Sequence, residues 1–77
     1  MKTNVVNKDY AQIVSDIAQR IKSARQERGI NQGDVATHLG KSQSYISKIE
    51  SGQRRIDTVQ LKEFAAIYKK KINFFLG

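Results

Sequence analysis

The sequence contains no cysteine, no proline and only one histidine among its 77 residues. The lack of cysteine excludes disulfide bonds and thiolate metal sites, and one histidine cannot form a metal site alone. With no proline and only five glycines, the chain has few helix breakers and is expected to be mostly helical. From the side chains present we therefore expect no metal site.

Long apolar runs are also missing, both as a membrane span and as the hydrophobic stretch that opens a signal peptide. This absence predicts a cytoplasmic protein that has no membrane partner. The chain is long enough for one small domain with a modest core. We expect no enzyme, because we recognise no paired carboxylates, no nucleophile with a base and no phosphate-binding glycine loop.

Acidic residues are scarce relative to basic ones, at 7 against 14, and the net charge is +7. Such an excess in a short chain favours a polyanionic partner, above all nucleic acid. An anionic membrane surface is the second interpretation of the charge, and a generic basic surface is the third.

Apolar residues that recur every three or four positions predict an amphipathic first helix, which opens at Asn7 or Lys8 and stops at Gly29. Residues 1–6 show no helical pattern. We therefore divide the chain into a flexible arm or added strand at 1–7 and a domain at 8–77. The apolar stripe of the first helix consists of Tyr10, Ile13, Val14, Ile17, Ile21 and Ala24.

Residues that cap helices divide the rest of the chain into four shorter helices. Asparagine, serine, threonine and aspartate accept hydrogen bonds at helix starts, and glycine takes the left-handed conformation at helix ends. The second helix is expected to run from Asn31 to Gly40 and the third from Ser42 to Gly52. The fourth is expected to start at Asp57 or Thr58 and to end at the lysines 69–71, and Asn73 is expected to cap the last turn.

Two short helices around Gly40 indicate a helix-turn-helix, if small or apolar residues occupy the positions where the helices cross. Ala36 matters most, because a larger side chain there would push the helices apart. An ordinary helical hairpin with a coincidental pattern is the alternative. The crossing positions hold Val35, Ala36, Leu39, Ile46 and Ile49.

Three stretches carry a resemblance to a known family: RIKSARQERGINQGDVATHLG, SQSYISKIESGQRR and INFFL. Together they resemble the phage repressor and Cro (Xre) family of DNA-binding domains over residues 17–76. The resemblance implies an all-α, compact five-helix repressor-like bundle in which helices 2 and 3 form the helix-turn-helix. The N-terminal extension of the first helix is not covered by it. Members of this family bind DNA without a cofactor, so the resemblance implies none here.

The resemblance also implies roles for individual residues. Arg25 and Glu50 match a partly buried ion pair that joins the first helix to the third. Gln32 matches a residue that contacts a phosphate and braces the recognition helix. The positions that face base edges are Gln43, Ser44, Ser47 and Lys48.

The chemistry of these four residues suits the DNA major groove, because the face bears an amide, two hydroxyls and an ammonium but no acid. Gln43 offers the donors and acceptor that read adenine, and Lys48 offers donors for guanine. A solvated helix face is the alternative. Further phosphate contacts are expected from Tyr45, Arg54 and Arg55, against the alternatives of a packing tyrosine and a solvated basic loop.

The leading hypothesis is a sequence-specific regulator of double-stranded DNA: a dimeric repressor that reads an inverted repeat, as a phage repressor, a Cro analogue or a restriction–modification controller does. The alternative is an antitoxin or other protein-interaction module with subsidiary DNA binding, whose partner contacts the N-terminal extension. Exposure of the apolar residues at 10, 13 and 14 would favour it. The expected homodimer surface contains Ile56, Ile72, Phe74, Phe75 and Leu76, with one of the two phenylalanines closing the core.

Overall fold

The protein is described by a computed structural model that gives the backbone of residues 2–77 and the side chains of residues 10–77. Over this range the chain forms five α-helices, as the family resemblance implied, and no strand. None of these helices is both long and apolar enough to cross a membrane. The helices are α1 (Lys2–Glu27), α2 (Gln32–Leu39), α3 (Gln43–Glu50), α4 (Thr58–Tyr68) and α5 (Ile72–Leu76).

The first helix begins earlier than the sequence predicted. We expected an arm or an added strand before Asn7, but α1 starts at Lys2 and is 26 residues long. The physical reason is that neither glycine nor proline interrupts residues 2–27, so nothing local ends the helix. The added strand at residues 3–6 is therefore wrong. Met1 lies outside the described residues, and the flexibility of the arm stays a prediction.

Side-chain caps fix the starts of α2 and α3. The Asn31 side chain accepts a hydrogen bond of 2.8 Å from the backbone N–H of Asp34. Ser42 Oγ accepts one of 3.1 Å from the backbone N–H of Tyr45. Between them, Gly40 ends α2 in the left-handed conformation at φ 69°, which glycine adopts without a steric penalty. All three assignments from the sequence are confirmed.

The later caps agree with the sequence only in part. Asp57 caps α4 in a complete capping box with Gln60, as expected. The assignment of Asn73 to the start of α5 is wrong, because that helix opens after Lys71, whose side chain makes no capping bond. Phe75 is fully buried, so α5 must start early enough to turn that ring toward the core.

The core forms where α2 and α3 pack together and α1, α4 and α5 cover them. Ala36 is 3% exposed at the contact between α2 and α3, as the helix-turn-helix prediction required. Leu39 is only partly buried and packs at the edge of this cluster. The other buried members are Ile21, Ala24, Val35, Ile46, Ile49, Leu61, Phe64, Ala65, Tyr68 and Phe75.

The apolar stripe of α1 is covered at one end only. Ile21 and Ala24 are completely buried against the other helices. Toward the N-terminus the cover ends, and the side chains of Tyr10 and Ile13 are 46% and 55% exposed. The sequence periodicity is therefore real, but its first two members face solvent in the monomer.

The end of α4 is held by charged side chains. Arg28 Nε donates a hydrogen bond of 2.8 Å to the carbonyl of Tyr68, beside Lys69, which closes the helix in the left-handed conformation at φ 56°. Lys70 pairs with Glu27 of α1 at 2.6 Å. The hydrogen bond that Lys70 donates to Glu27, together with the positive charge of Lys70, lowers the pKa of the exposed Glu27 carboxyl.

Tyr68 carries a buried hydroxyl that has no hydrogen-bond partner among the described residues. Burial raises the pKa of this phenol above its usual value. An unsatisfied buried donor costs about 1–3 kcal/mol, so Tyr68→Phe should raise the free energy of unfolding by about 1 kcal/mol. Urea unfolding measures this. Tyr45→Phe is the matched control, because it removes a hydroxyl that Gln60 contacts, and it should lower stability by about 0.5–1.5 kcal/mol. A loss of stability in Tyr68→Phe would contradict the assignment.

Candidate DNA-binding face

The outer face of α3 presents four hydrogen-bonding side chains to solvent. The rotation of the helix is fixed by Ile46 and Ile49, which are 0% and 1% exposed on its inner side. The structure therefore brings together, along one shallow concavity, all four residues that the resemblance assigned to base contacts. They are Gln43, Ser44, Ser47 and Lys48, and each is exposed.

A fifth side chain, Gln53, lines the same concavity and was not predicted. The chain reverses at Gly52, which has φ 79°. The backbone N–H of Gln53 then donates to the carbonyl of Lys48 at 2.9 Å, so the loop folds back along the end of α3. The glycine after a short helix was the available signal, since such a turn returns the next residue toward the helix.

The recognition helix is tied to α1 by a buried ion pair. Arg25 Nε donates to Glu50 Oε2 at 2.6 Å, and Arg25 Nη2 donates to Glu50 Oε1 at 3.0 Å. The two side chains are 11% and 3% exposed, and Arg25 Nη1 also donates to the carbonyl of Ile30 at 2.8 Å. The hydrogen bond that Arg25 donates to Glu50 raises the pKa of the Arg25 guanidinium, while burial opposes it. The structure thus contains the pair that the resemblance implied.

Gln32 completes this network from the start of α2. Its Nε2 donates a hydrogen bond of 3.0 Å to Glu50 Oε1. A glutamine amide has two donor hydrogens, so the second remains available to a ligand. The bracing role of Gln32 is therefore visible in the geometry, whereas its phosphate contact stays a prediction.

Tyr45 lies beside the recognition face, between two cations. Lys41 Nζ is 5.1 Å and Arg54 Cζ is 4.7 Å from the centre of its ring. The hydroxyl accepts a hydrogen bond from Gln60, which leaves its own hydrogen free to donate. This arrangement places a donor hydroxyl and two positive charges at one border of the face, where an anionic oxygen is favoured.

The guanidinium groups of Arg54 and Arg55 lie over different aromatic rings, although the sequence placed both residues in one basic loop. Arg54 lies against Tyr45, next to α3. Arg55 instead lies over the ring of Tyr10 on α1, with its Cζ 5.2 Å from the ring centre. Because the two guanidinium groups lie against different helices, they are not equivalent phosphate candidates.

Residues 21–75 match the family model HTH_3, described as Helix-turn-helix, and this segment is more than half of the chain. The chain belongs to this helix-turn-helix family. It is a DNA-binding transcription regulator of the repressor and Cro type. The matched segment includes the whole of α2 and α3 and the loop that carries Gln53, and therefore every residue that lines the concavity.

Two solved structures share the helix-turn-helix fold of this chain. One is the restriction-modification controller protein C.AhdI from Aeromonas hydrophila, with TM-score 0.78 at 24% identity over 87% of this chain and 97% of the other. The other is the DNA-binding domain of BldD, with TM-score 0.78 at 16% identity over 87% and 97%. At these identities the likeness establishes the fold alone. A search of curated proteins gives no match.

The residues expected at a helix-turn-helix dimer interface do not all lie at the surface. Phe75 is 0% exposed and belongs to the core, so assigning it to an interface is wrong. Phe74 packs edge-on against Phe75, with 5.2 Å between the two ring centres, and is 39% exposed. Leu76 is 56% exposed, and Ile56 and Ile72 are partly buried. The prediction that one of the two phenylalanines closes the core is confirmed, whereas a place for Phe74 at an interface stays a prediction.

Proposed function

We propose that the chain is a sequence-specific repressor that binds an inverted-repeat operator as a dimer, with α3 in the major groove of each half-site. The observation that supports this most is the composition of the exposed face of α3, which carries an amide, two hydroxyls and an ammonium without an acid. Acidic groups on that face would be repelled by DNA phosphates, whereas these groups match the hydrogen-bonding edges of bases.

Base reading is assigned to the exposed side chains of α3. Gln43 presents one acceptor and two donors, which match N6 and N7 of adenine. Lys48 presents donors to O6 and N7 of guanine. Ser44 and Ser47 are short enough to accept or donate at close range. Gln53 joins this set, because it lines the same concavity.

Phosphate contacts are assigned to the border of the face. Gln32 retains one free amide hydrogen at the start of α2, and Tyr45 retains its hydroxyl hydrogen. Arg54, packed against Tyr45, adds the strongest charge on that side. Arg55 extends the basic border toward α1. Such contacts fix the register of the protein on the duplex without reading sequence.

Dimerisation is assigned to the exposed apolar side chains of α5, Phe74 and Leu76, with Ile72 and Ile56 at the margin. One helix-turn-helix domain covers one half-site, and a dimer covers two that lie about 34 Å apart, one turn of DNA. Exposed aromatic and aliphatic side chains are the surface that a second copy can bury.

Replacing Gln43 with alanine should weaken binding to the specific operator about tenfold, because each good base contact contributes roughly 1–3 kcal/mol of discrimination. Binding to unrelated duplex should stay unchanged, since the phosphate contacts remain. Fluorescence anisotropy with both duplexes measures the two affinities. Equal losses on both would remove Gln43 from the base-reading set.

Replacing Arg54 with alanine should lower affinity for all duplexes alike. The slope of log affinity against log salt should become shallower by about one, because one phosphate contact is lost. Lys62→Ala is the control, since Lys62 is an exposed residue of α4 that does not line the concavity. An unchanged slope in Arg54→Ala would exclude a phosphate contact by this arginine.

Selection from a random duplex library tests the proposed function as a whole. The full chain is incubated with the library at moderate salt, and the retained sequences are read. We expect an inverted repeat whose half-sites are centred about one turn, 10–10.5 base pairs, apart. Failure to enrich any sequence, with weak binding to all duplexes that salt abolishes, would contradict it.

A protein-interaction module is the second candidate function. The observation that favours it is the exposure of Tyr10 and Ile13, whereas Val14, the third residue expected there, is half-buried. Both residues lie ahead of the segment that matches the helix-turn-helix family. The two functions are compatible within one chain if the partner and the DNA use different faces.

A further inference from the structure

An apolar groove of about 170 Å³ lies between the N-terminal half of α1 and the loop that joins α3 to α4. Its floor is formed by core residues such as Ile21 and Ile49, so it opens directly onto the hydrophobic interior. The groove is outside the concavity on α3. Its other lining residues are Tyr10, Ile13, Val14, Ile17, Ala18, Arg54, Arg55 and Ile56.

The apolar side chains at the groove lie one or two turns apart along α1. Tyr10, Ile13, Val14 and Ile17 have the three- and four-residue spacing of a helix face that packs against another helix. Ile13 is 55% exposed, so the described residues leave more than half of it open to solvent. A continuous apolar strip of this kind on a surface marks an interaction site. An amphipathic helix laid along α1 has the shape that fills it.

The charged lining of the groove is basic. Among residues 10–77, Arg54 and Arg55 are the only charged residues that line it, and neither forms a salt bridge with another side chain of this range. A second copy docked by the same face would bring these arginines together across a two-fold axis. Each of the two chains would also carry a net charge of +7. Charge complementarity therefore selects an acidic partner over another copy of this chain.

We infer that this groove binds an acidic amphipathic helix of another protein, and that this helix competes with DNA. Its apolar face covers Ile13 and Ile17, and its carboxylates pair with Arg54 and Arg55. Arg54 lies against Tyr45 at the border of the recognition face, so a bound helix withdraws this arginine from the phosphates. This second part rests on the proposed function, while the binding of the helix does not.

The test uses two synthetic helical peptides of about 16 residues, long enough for roughly four turns. Both carry leucines at the three- and four-residue spacing; one has glutamates on its other faces and the second has lysines. Each is titrated into the isotope-labelled full chain without DNA. We expect the glutamate peptide to bind more tightly than about 1 mM and to shift the amides of Tyr10, Ile13, Ile17 and Arg55. The lysine peptide should not bind.

Two substitutions locate the binding and leave the core intact, because both residues are exposed. Ile13→Lys and Arg55→Glu should each weaken the glutamate peptide at least about tenfold. Arg55→Glu should in turn gain affinity for the lysine peptide. Lys62→Glu, which makes the same charge change on α4 away from the groove, should alter neither affinity. Circular dichroism confirms that every variant is folded.

Competition is measured with the duplex recovered by selection. Saturating glutamate peptide should weaken duplex binding at least about tenfold in the natural chain but not in Ile13→Lys. Unchanged duplex affinity would overturn the competition.

The groove assignment would be overturned by equal binding of both peptides, by no binding of either peptide, or by amide shifts on the outer face of α3. A dimer in sedimentation that Ile13→Lys dissociates would give the groove to a second copy. If the natural chain bound the glutamate peptide but bound no duplex, this result would refute the proposed function and leave the groove assignment in place.

Discussion

Replacing Arg25 with methionine should lower the free energy of unfolding by about 3–5 kcal/mol, because it leaves the Glu50 carboxylate buried without its partner. Glu50 has a side chain that is only 3% exposed and two bonds from Arg25. Only the bond from Gln32 would remain. In a domain of this size each kcal/mol shifts the melting temperature by about 4–8 °C, so the loss should reach tens of degrees in thermal unfolding.

The chain provides a matched control for this effect. Lys70 and Glu27 are also 2.6 Å apart, but their side chains are 23% and 62% exposed. Lys70→Met should therefore cost only about 0–1 kcal/mol. The double variant Arg25→Met with Glu50→Met should recover much of the stability, since no buried charge is left. Similar losses for Arg25→Met and Lys70→Met would contradict the role of burial.

Replacing Ser47 with glutamate should reduce DNA affinity by about 100-fold or more, since a like charge at a binding interface costs several kcal/mol. Ser47 lies in the middle of the acid-free face of α3 and is exposed. Glutamate is a good helix former, so the fold should be unaffected. Anisotropy with the operator duplex measures the loss, and urea unfolding measures the stability.

Ser23→Glu is the control for the change in net charge. Ser23 is an exposed residue of α1 that does not line the concavity, so the substitution alters the total charge equally but not the face. Its effect on affinity should be small. If both glutamates weakened DNA binding to the same extent, the effect would come from net charge and not from α3.

Much of the fold follows from local chemistry in the sequence. Asn31, Ser42 and Asp57 cap helices because their side chains reach the free N–H groups two or three residues ahead. Gly40 ends α2 because it tolerates a positive φ. The rotation of α3 follows from the spacing of Ile46 and Ile49, which turns the polar residues outward. These effects act within one or two helical turns, so periodicity and cap residues are sufficient to predict them.

Contacts between distant segments were less predictable. The order of two adjacent phenylalanines did not indicate which one enters the core, because the register of α5 is set by packing against α1 and α4. The divergence of Arg54 and Arg55 depends on Tyr45 and Tyr10, which lie on different helices. The Arg25–Glu50 pair became recognisable only through the family resemblance, since both residues look like surface charges in the sequence.

Amide chemical-shift mapping on the isotope-labelled full chain, titrated with the selected operator duplex, tests most directly whether the outer face of α3 binds DNA. The account predicts that the largest shifts fall on Gln43, Ser44, Ser47 and Lys48, with smaller ones at Gln32 and from Gln53 to Arg55. The amides of Ser23 and of the outer side of α4 should not move. Shifts confined to α1, or an absence of shifts on α3 at saturation, would contradict it.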